Sequence, residues 1–318
     1  RGVLAFNNIF HLPLFANTFL RYNEITMPPV RDIKQLSEKK LFALEARAQE
    51  IRADILKMLQ HAGSGHSAGS LGMADIFTAL YFHVLVHNPK QPNWKDRDRL
   101  ILSCGHIAPV RYATMAHAGY FPKNELLTLR KFGSRLQGHP ELNRFVGFET
   151  TSGPLGDGVA QAVGMAYVAK KEKLPYHTYC VMSDGELQTG ITWESALFAG
   201  RNVLHNMTWI IDRNNIQIDG YTEDIMPIEP LVQKFEAFNF HVIEIDGHNI
   251  RDMVDACAYA QSIFEQPTVI IAHTTPGKGV DFMEFEPIWH GKPPKDQAEL
   301  KRALISLRTL NGKIEHGE

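Results

Sequence analysis

Asp184 and Asn214 are the residues whose types and spacing most directly suggest chemistry. Asp184 stands in Met182-Ser183-Asp184-Gly185 and Asn214 in Asn214-Asn215 thirty positions later, each just past an apolar, β-branched or aromatic run. Residues 179–182 and 207–211 have strand composition, and residues 193–201 between them have helical periodicity, which makes a strand-helix-strand unit. A parallel crossover brings both strand ends to the same sheet edge. There a carboxylate oxygen and an amide oxygen are hard ligands suited to Mg²⁺, an ion that keeps a phosphate-bearing cofactor among its other ligands. The alternative is two ordinary polar loops, since Asp-Gly and Asn-Asn are common turn dipeptides.

Four histidines sit beside glycines in segments that read as loops: His66 after Ser64-Gly65, His106 after Gly105, His139 after Gly138, and His290 before Gly291. Glycine lets backbone approach a ligand, and imidazole bonds hydroxyls and phosphates near neutral pH. Each taken singly reads more often as a surface or capping residue; four together point to a site. The run Gly153-Pro154-Leu155-Gly156-Asp157-Gly158 opens a helix whose amino end can face an anion, with an apolar wedge for a heterocycle. A tight turn before a helix is the alternative. Rival nucleotide motifs fail on context. Gly63, Gly65 and Gly69 follow a helix instead of a strand, and Gly277-Lys278-Gly279 lacks the hydroxyl residue after lysine that a phosphate loop needs. No His-Glu-x-x-His occurs, which argues against zinc catalysis.

The elements that must position these residues alternate along the chain. An amphipathic helix is expected over 36–60, ending at His61-Ala62-Gly63, followed by a glycine-rich loop over 63–69. A helix carrying Met73, Ile76, Phe77, Leu80 and Val84 follows, then a strand at 100–102 ending in Ser103-Cys104-Gly105-His106. Helical stretches are expected at 110–118 and 123–131, then a long loop over 133–153, of the kind that usually carries function. A helix over 156–171 precedes the strand-helix-strand unit, and strands at 241–245 and 268–272 flank a helix near 251–264. This order implies an α/β fold, a mostly parallel sheet with helices on both faces.

Composition narrows the function. The 318 residues are 44% hydrophobic and 21% charged, enough for a large core. A formal charge of −2, with no basic run interleaved with aromatics, gives no field for nucleic acid, so a small anion is the expected partner. Three widely separated cysteines, Cys104, Cys180 and Cys257, support neither a disulfide framework nor a zinc ribbon, and suit a reducing cytoplasm. Residues 1–26 read as an extension, disordered or upstream of a start at Met27, with a targeting peptide as the alternative and 27–318 as the domain; no segment reads as a membrane span.

In order, Ser64-Gly65-His66, Leu102-Ser103-Cys104-Gly105-His106, Gly138-His139-Pro140-Glu141, Gly153-Pro154-Leu155-Gly156, Asp184-Gly185, Asn214 with Ile218-Asp219-Gly220, and Trp289-His290-Gly291 resemble the transketolase family. The resemblance runs from about residue 35 to 290 and covers only the amino-terminal, diphosphate-binding domain of that family. It implies the amino-terminal subunit of a split transketolase, partnered by a second chain with the pyrimidine-binding domain, as a dimer of heterodimers. It also implies thiamine diphosphate held through Mg²⁺ by Asp184, Asn214 and the Ile216 carbonyl, with the Gly185 amide on the diphosphate. His66, His106 and His290 would line the diphosphate and the reacting carbon, His139 the donor sugar, and Gly153 and Leu155 the cofactor rings. The implied reaction moves a two-carbon ketol unit from a ketose phosphate to an aldose, and this chain alone should be inactive. Two positions depart from the family pattern. Ser183 stands where glycine is usual, which fits if its backbone angles are ordinary, and Thr189 stands where glutamate is usual. Glu186 is expected to point elsewhere. Alternative readings are the α subunit of a 2-oxo acid dehydrogenase, opposed by the His66, His106 and His139 set, and a catalytically lapsed scaffold, motivated by Thr189 and Ser183.

Overall fold

Strand alternation decides the layering. In a computed structural model, which describes residues 33–142, 144 and 147–315, the strands are β1 Arg99–Leu102, β2 Thr178–Ser183, β3 Met207–Arg213, β4 Ile216–Gln217, β5 Gly220–Tyr221, β6 His241–Asp246 and β7 Thr268–His273. The expected extension at 1–26 and start at Met27 lie outside the described residues. The helices are α1 Glu38–Ala62, α2 Ala68–Gly72, α3 Ala74–Ala79, α4 Ala108–His117, α5 Asp157–Glu172, α6 Gly190–Arg201, α7 Thr222–Ile225, α8 Leu231–Ala237, α9 Ile250–Ala260 and α10 Gln297–Glu315.

Five strands form a sheet of order β1-β2-β3-β7-β6 in which every pairing is parallel; β4 and β5 form a small antiparallel hairpin. Successive side chains of a strand point to opposite faces, so a sheet covered on both sides needs apolar residues at every position. Tyr179, Val181, Ile210 and Ile270 join the core built with α1, α3, α4 and α9. Their neighbours Cys180, Met182, Trp209, Ile211 and Ile271 join the opposite core, with α5, α6 and α8. The expected parallel sheet with helices on both faces is what the chain forms.

Several element boundaries differ from expectation. The first helix is capped by the Ser37 hydroxyl accepting from Lys40 N and by Gly63 at φ 70°, which any side chain would strain. The glycine-rich loop is shorter than 63–69, because α2 already starts at Ala68. The helix expected through Val84 changes at Leu80 to a wider π turn, closed by Leu85 N donating to Leu80 O at 2.8 Å. The stretch expected as helix over 123–131 is only a 3₁₀ segment, Lys123–Thr128, whose Thr128 hydroxyl bonds back to Glu125 O. The helix expected to run to residue 264 stops at Ala260. Neither α8 nor α10 is among the expected elements, although Leu300, Ala303 and Leu307 show the spacing of a buried helical stripe.

One close approach seats α5 on the sheet edge. A Cβ on Gly158 would lie 2.6 Å from Ser103 Cα, inside any real contact distance, so a side chain would lift the start of α5 off the end of β1. Gly158→Ala is expected to cost about 1–3 kcal/mol of stability, measured by denaturant unfolding, whereas Ala at the open Gly164 should not.

Candidate active site

All five strands of the main sheet point the same way, so their carboxyl ends share one edge, where open α/β sheets bind ligands. Residues Ser103, Asp184, Asn214 and Thr274 follow directly on β1, β2, β3 and β7. Ser183 pairs with Asp212 across β2 and β3, so Asp184 and Asn214 emerge from adjacent strands. Asn215, held at φ 64°, turns its N–H onto Asp184 Oδ2 at 2.7 Å. The two halves of the expected clamp therefore meet, and Asp184 and Asn214 are both buried.

The donor set fits a divalent cation. Among the described residues, Asp184 Oδ1 accepts only from Gly185 N, at 2.8 Å, and Asn214 Oδ1 only from Ile216 N, at 3.0 Å, so each hard oxygen keeps a lone pair. No group of three His, Cys, Asp or Glu suited to a metal occurs among the described residues; one carboxylate, one amide and one backbone carbonyl do not need such a group.

Three neighbours outside the sequence-derived set hold this edge. Arg213 Nη1 donates to Asp184 Oδ2 at 3.0 Å, while burial still pushes the Asp184 carboxyl above its ordinary range. Asp212 accepts from Asn214 Nδ2 at 2.8 Å and from the Thr274 hydroxyl; burial, with Asp184 close by, pushes it up to about 7. Glu186 turns inward, beneath the sheet edge. It is fully buried, accepting from the Ser103 hydroxyl, Gly156 N and Ser183 N, and burial pushes it up to about 7. The signal was available: charged residues at the carboxyl ends of apolar parallel strands sit where ligands bind. Ser183 is an ordinary strand residue in β2, and the Thr189 hydroxyl contacts Glu186 O and the Thr192 hydroxyl.

The histidines converge from four separate segments. His66 precedes α2, His106 lies in the 3₁₀ turn Gly105–Ile107 after β1, and His290 follows the turn Pro287–Trp289. Their ring centres form a triangle: 5.0 Å from His66 to His106, 5.5 Å from His66 to His290, and 5.3 Å from His106 to His290. His139 adjoins the triangle, because a Cβ on Gly105 would lie 3.1 Å from its Cδ2. Gly105 is thus the glycine that admits His139 and Ser152, whose hydroxyl donates to Leu102 O. The Gly63–Gly69 segment links the triangle to the clamp, since a Cβ on Gly69 would lie 3.7 Å from Asp212 Oδ2 and 4.0 Å from Asn214 Nδ2.

All four imidazoles favour the neutral form. Burial, then the neighbouring His290, Arg130 and His139, brings His66 down to about 4; burial and the other rings take His106 well below its ordinary value. Burial lowers His290, and burial with Arg130 lowers His139. Nδ1 of His66 and Nδ1 of His290 are buried without a partner among the described residues, which leaves hydrogen-bonding capacity unfilled on two corners of the triangle. A pocket of about 360 Å³ is lined by Arg130, Gln137, Gly138 and His139. Gly153 borders open space and Leu155 is exposed, whereas Gly156 is anchored through Glu186.

A parallel α/β edge that gathers hard oxygens and neutral imidazoles is the place where an open sheet of this kind binds a ligand. A family model described as transketolase, thiamine diphosphate binding domain, matches residues 44–307. The chain is 42% identical over 241 residues to a 6-deoxy-6-sulfo-D-fructose transketolase subunit of Clostridium sp., covering 76% of this chain and 88% of that one. It is 40% identical over 267 residues to an apulose-4-phosphate transketolase subunit of Actinobacillus succinogenes, covering 83% and 96%. The solved transketolase of Campylobacter jejuni superposes with a TM-score of 0.75 at 34% identity, covering 86% of this chain but 48% of that one. The chain belongs to the transketolase family, as its amino-terminal thiamine diphosphate-binding domain. Its family function is thiamine diphosphate-dependent ketol transfer, which sets aside the 2-oxo acid dehydrogenase reading. It spans about half the length of the solved full-length transketolases.

The sign of the acid response follows from the lowered His66. A base whose folded value lies near 4 against an ordinary 6.5 contributes stability above 6.5 that is lost as pH falls toward 4. The wild-type chain should lose stability over that window, and His66→Gln should lose about 2 kcal/mol less, after allowing for solvent screening of a partly exposed ring. Chemical denaturation at pH 7 and pH 4.5 measures the difference.

Proposed function

We propose that this chain supplies the diphosphate and metal half of a two-chain transketolase, completed by a separate chain carrying the pyrimidine-binding domain. The supporting observation is the convergence on one sheet edge of Asp184 and Asn214 with His66, His106 and His290. The near full-length match to proteins named as transketolase subunits supports the two-chain arrangement, and a dimer of heterodimers is part of the reading. So is a cytoplasmic location, supported by three cysteines buried as free thiols; no described helix is long and apolar enough to cross a membrane.

Asp184, Asn214 and the Ile216 carbonyl would hold Mg²⁺, and the Gly185 N–H would face the diphosphate. When bound, thiamine diphosphate supplies the carbanion chemistry that carries a two-carbon ketol unit from a ketose to an aldose. His66 and His290 would offer their unpartnered Nδ1 atoms to the ligand, and as neutral rings they can take a proton without first losing one and then give it back. His106 fills the third corner of the triangle, and Gly153 and Leu155 would border the cofactor rings. His139, beside Arg130 in the pocket, would receive the donor sugar, and the guanidinium suits a sugar bearing an anionic group such as a phosphate.

Calorimetric titration of Mg²⁺ and thiamine diphosphate, with ketol transfer assayed in parallel, tests the reading. Binding is expected in the wild-type chain and should be lost in Asp184→Ala, with turnover only in mixture with a pyrimidine-domain partner. No turnover in any mixture would favour a lapsed scaffold. His139→Ala should raise the KM for the donor sugar while leaving thiamine diphosphate affinity nearly unchanged; loss of cofactor binding instead would place that ring elsewhere.

A further inference from the structure

β1 is an edge strand of the main sheet, and the loop that carries His139 meets the backbone groups on its open side. Leu100 N donates to Glu149 Oε1 at 3.3 Å, and Leu102 O accepts from the Ser152 hydroxyl at 2.8 Å. The Glu149 side chain is 3% exposed, and two guanidiniums share its carboxylate. Arg97 Nη1 donates to Oε1, and Arg111 Nη2 donates to Oε2 at 3.0 Å. Arg111 also reaches Gly147 O at 3.3 Å and lies 4.0 Å from the centre of the Phe148 ring. Residues 147–152 are thus fastened to β1 and α4. They in turn hold the segment that follows His139: Ser152 N donates to Pro140 O at 3.0 Å, and Leu142 N to the Thr151 hydroxyl at 3.2 Å. On the other side of His139, the Tyr112 hydroxyl donates to Gln137 O at 2.9 Å. Adjacent residues of α4, Arg111 and Tyr112, therefore grip the two arms of one loop.

We propose that Glu149 is a positioning residue for His139: its clamp on two arginines seats the arm 147–152, and that arm sets where the imidazole stands in the pocket with Arg130, Gln137 and Gly138. The consequence for catalysis rests on the placing of the donor sugar at His139 proposed above. A carboxylate can accept from both guanidiniums and from Leu100 N at once, whereas an amide turns an NH₂ donor toward one of them. Glutamine would also leave two buried guanidiniums without their counter-charge. The arm would then loosen while Tyr112 still holds Gln137, so the displacement falls on the residues between them. A misplacement of about 1 Å is enough to lower productive engagement of a substrate. Gly156 keeps its own anchor on Glu186, so the cofactor side of the site should not follow.

The test reads the ring directly, by NMR titration of the histidine-labelled full chain as wild type, Glu149→Gln and Thr151→Val, with the His139 signal assigned by its loss in His139→Ala. Burial, then Arg130, holds His139 below the ordinary histidine value. In both variants it should titrate closer to that value as water reaches the ring, while His66 and His106 stay where they are. With a pyrimidine-domain partner and xylulose 5-phosphate as donor, Glu149→Gln should raise the donor KM about tenfold. Thr151→Val, which cuts the tie to Leu142 and spares the clamp, should raise it about two- to threefold. Thiamine diphosphate affinity should be unchanged, and neither substitution should raise the KM further in a His139→Ala background. An unmoved His139 titration overturns the proposal and leaves Tyr112 and Arg130 to place the ring, and so does a shift of all the histidines together, which would mark general loosening. An unchanged donor KM in Glu149→Gln, where His139→Ala raises it, overturns it too. Thr151 is exposed, and its variant carries both readings if Glu149→Gln does not fold. If His139→Ala itself leaves the donor KM unchanged, the placing of the sugar fails, a result separate from the titration.

Discussion

The parallel pairing of β2 with β3 is the constraint on which the site depends. Ser183 opposite Asp212 puts the next residues of each strand, Asp184 and Arg213 with Asn214, at the same height above the sheet. A slip by one residue would turn the apolar set of each strand to the wrong core. Cys180, Met182, Trp209 and Ile211 face one core and Tyr179, Val181 and Ile210 the other, so packing on both faces locks the register. The chemistry at the edge inherits its precision from apolar contacts several residues away.

Once the edge is built, its charges must be paired, because an isolated buried ion costs far more than the fold can spare. Asp184 is met by Arg213, Asp212 by Asn214 and the Thr274 hydroxyl, and Glu186 by Ser103, Gly156 and Ser183. The Glu186 carboxylate also joins the ends of β1 and β2 to the start of α5. Groups that satisfy one another in this way set the directions of the open oxygens on Asp184 and Asn214. Across the site the histidines follow the opposite rule, since their burial is compatible with neutrality and needs no counter-charge.

The layer order was legible in the sequence because it depends on periodicity, a local property. Strand ends after residues 182 and 211 could be placed from the same runs, and with them Asp184 and Asn214. The π turn at Leu80–Val84 and the weak 3₁₀ segment Lys123–Thr128 were not legible, since both carry apolar spacing compatible with an ordinary helix. The partners of Glu186 were not legible for a related reason: extending a regular path from β2 does not show the turn that starts at Gly185.

By itself, the sequence determined the fold class, the strand ends and the identity of the candidate ligands, because hydropathy period and residue chemistry are written along the chain. Only the tertiary structure decided that His66, His106 and His290 share one triangle, that Gly105 and Gly158 are the points of closest approach, and that Arg213 is the partner of Asp184. Those facts join residues far apart in the chain. No local propensity encodes which distant donor will satisfy a buried acceptor; that choice is made when the layers pack and close the loops on one edge.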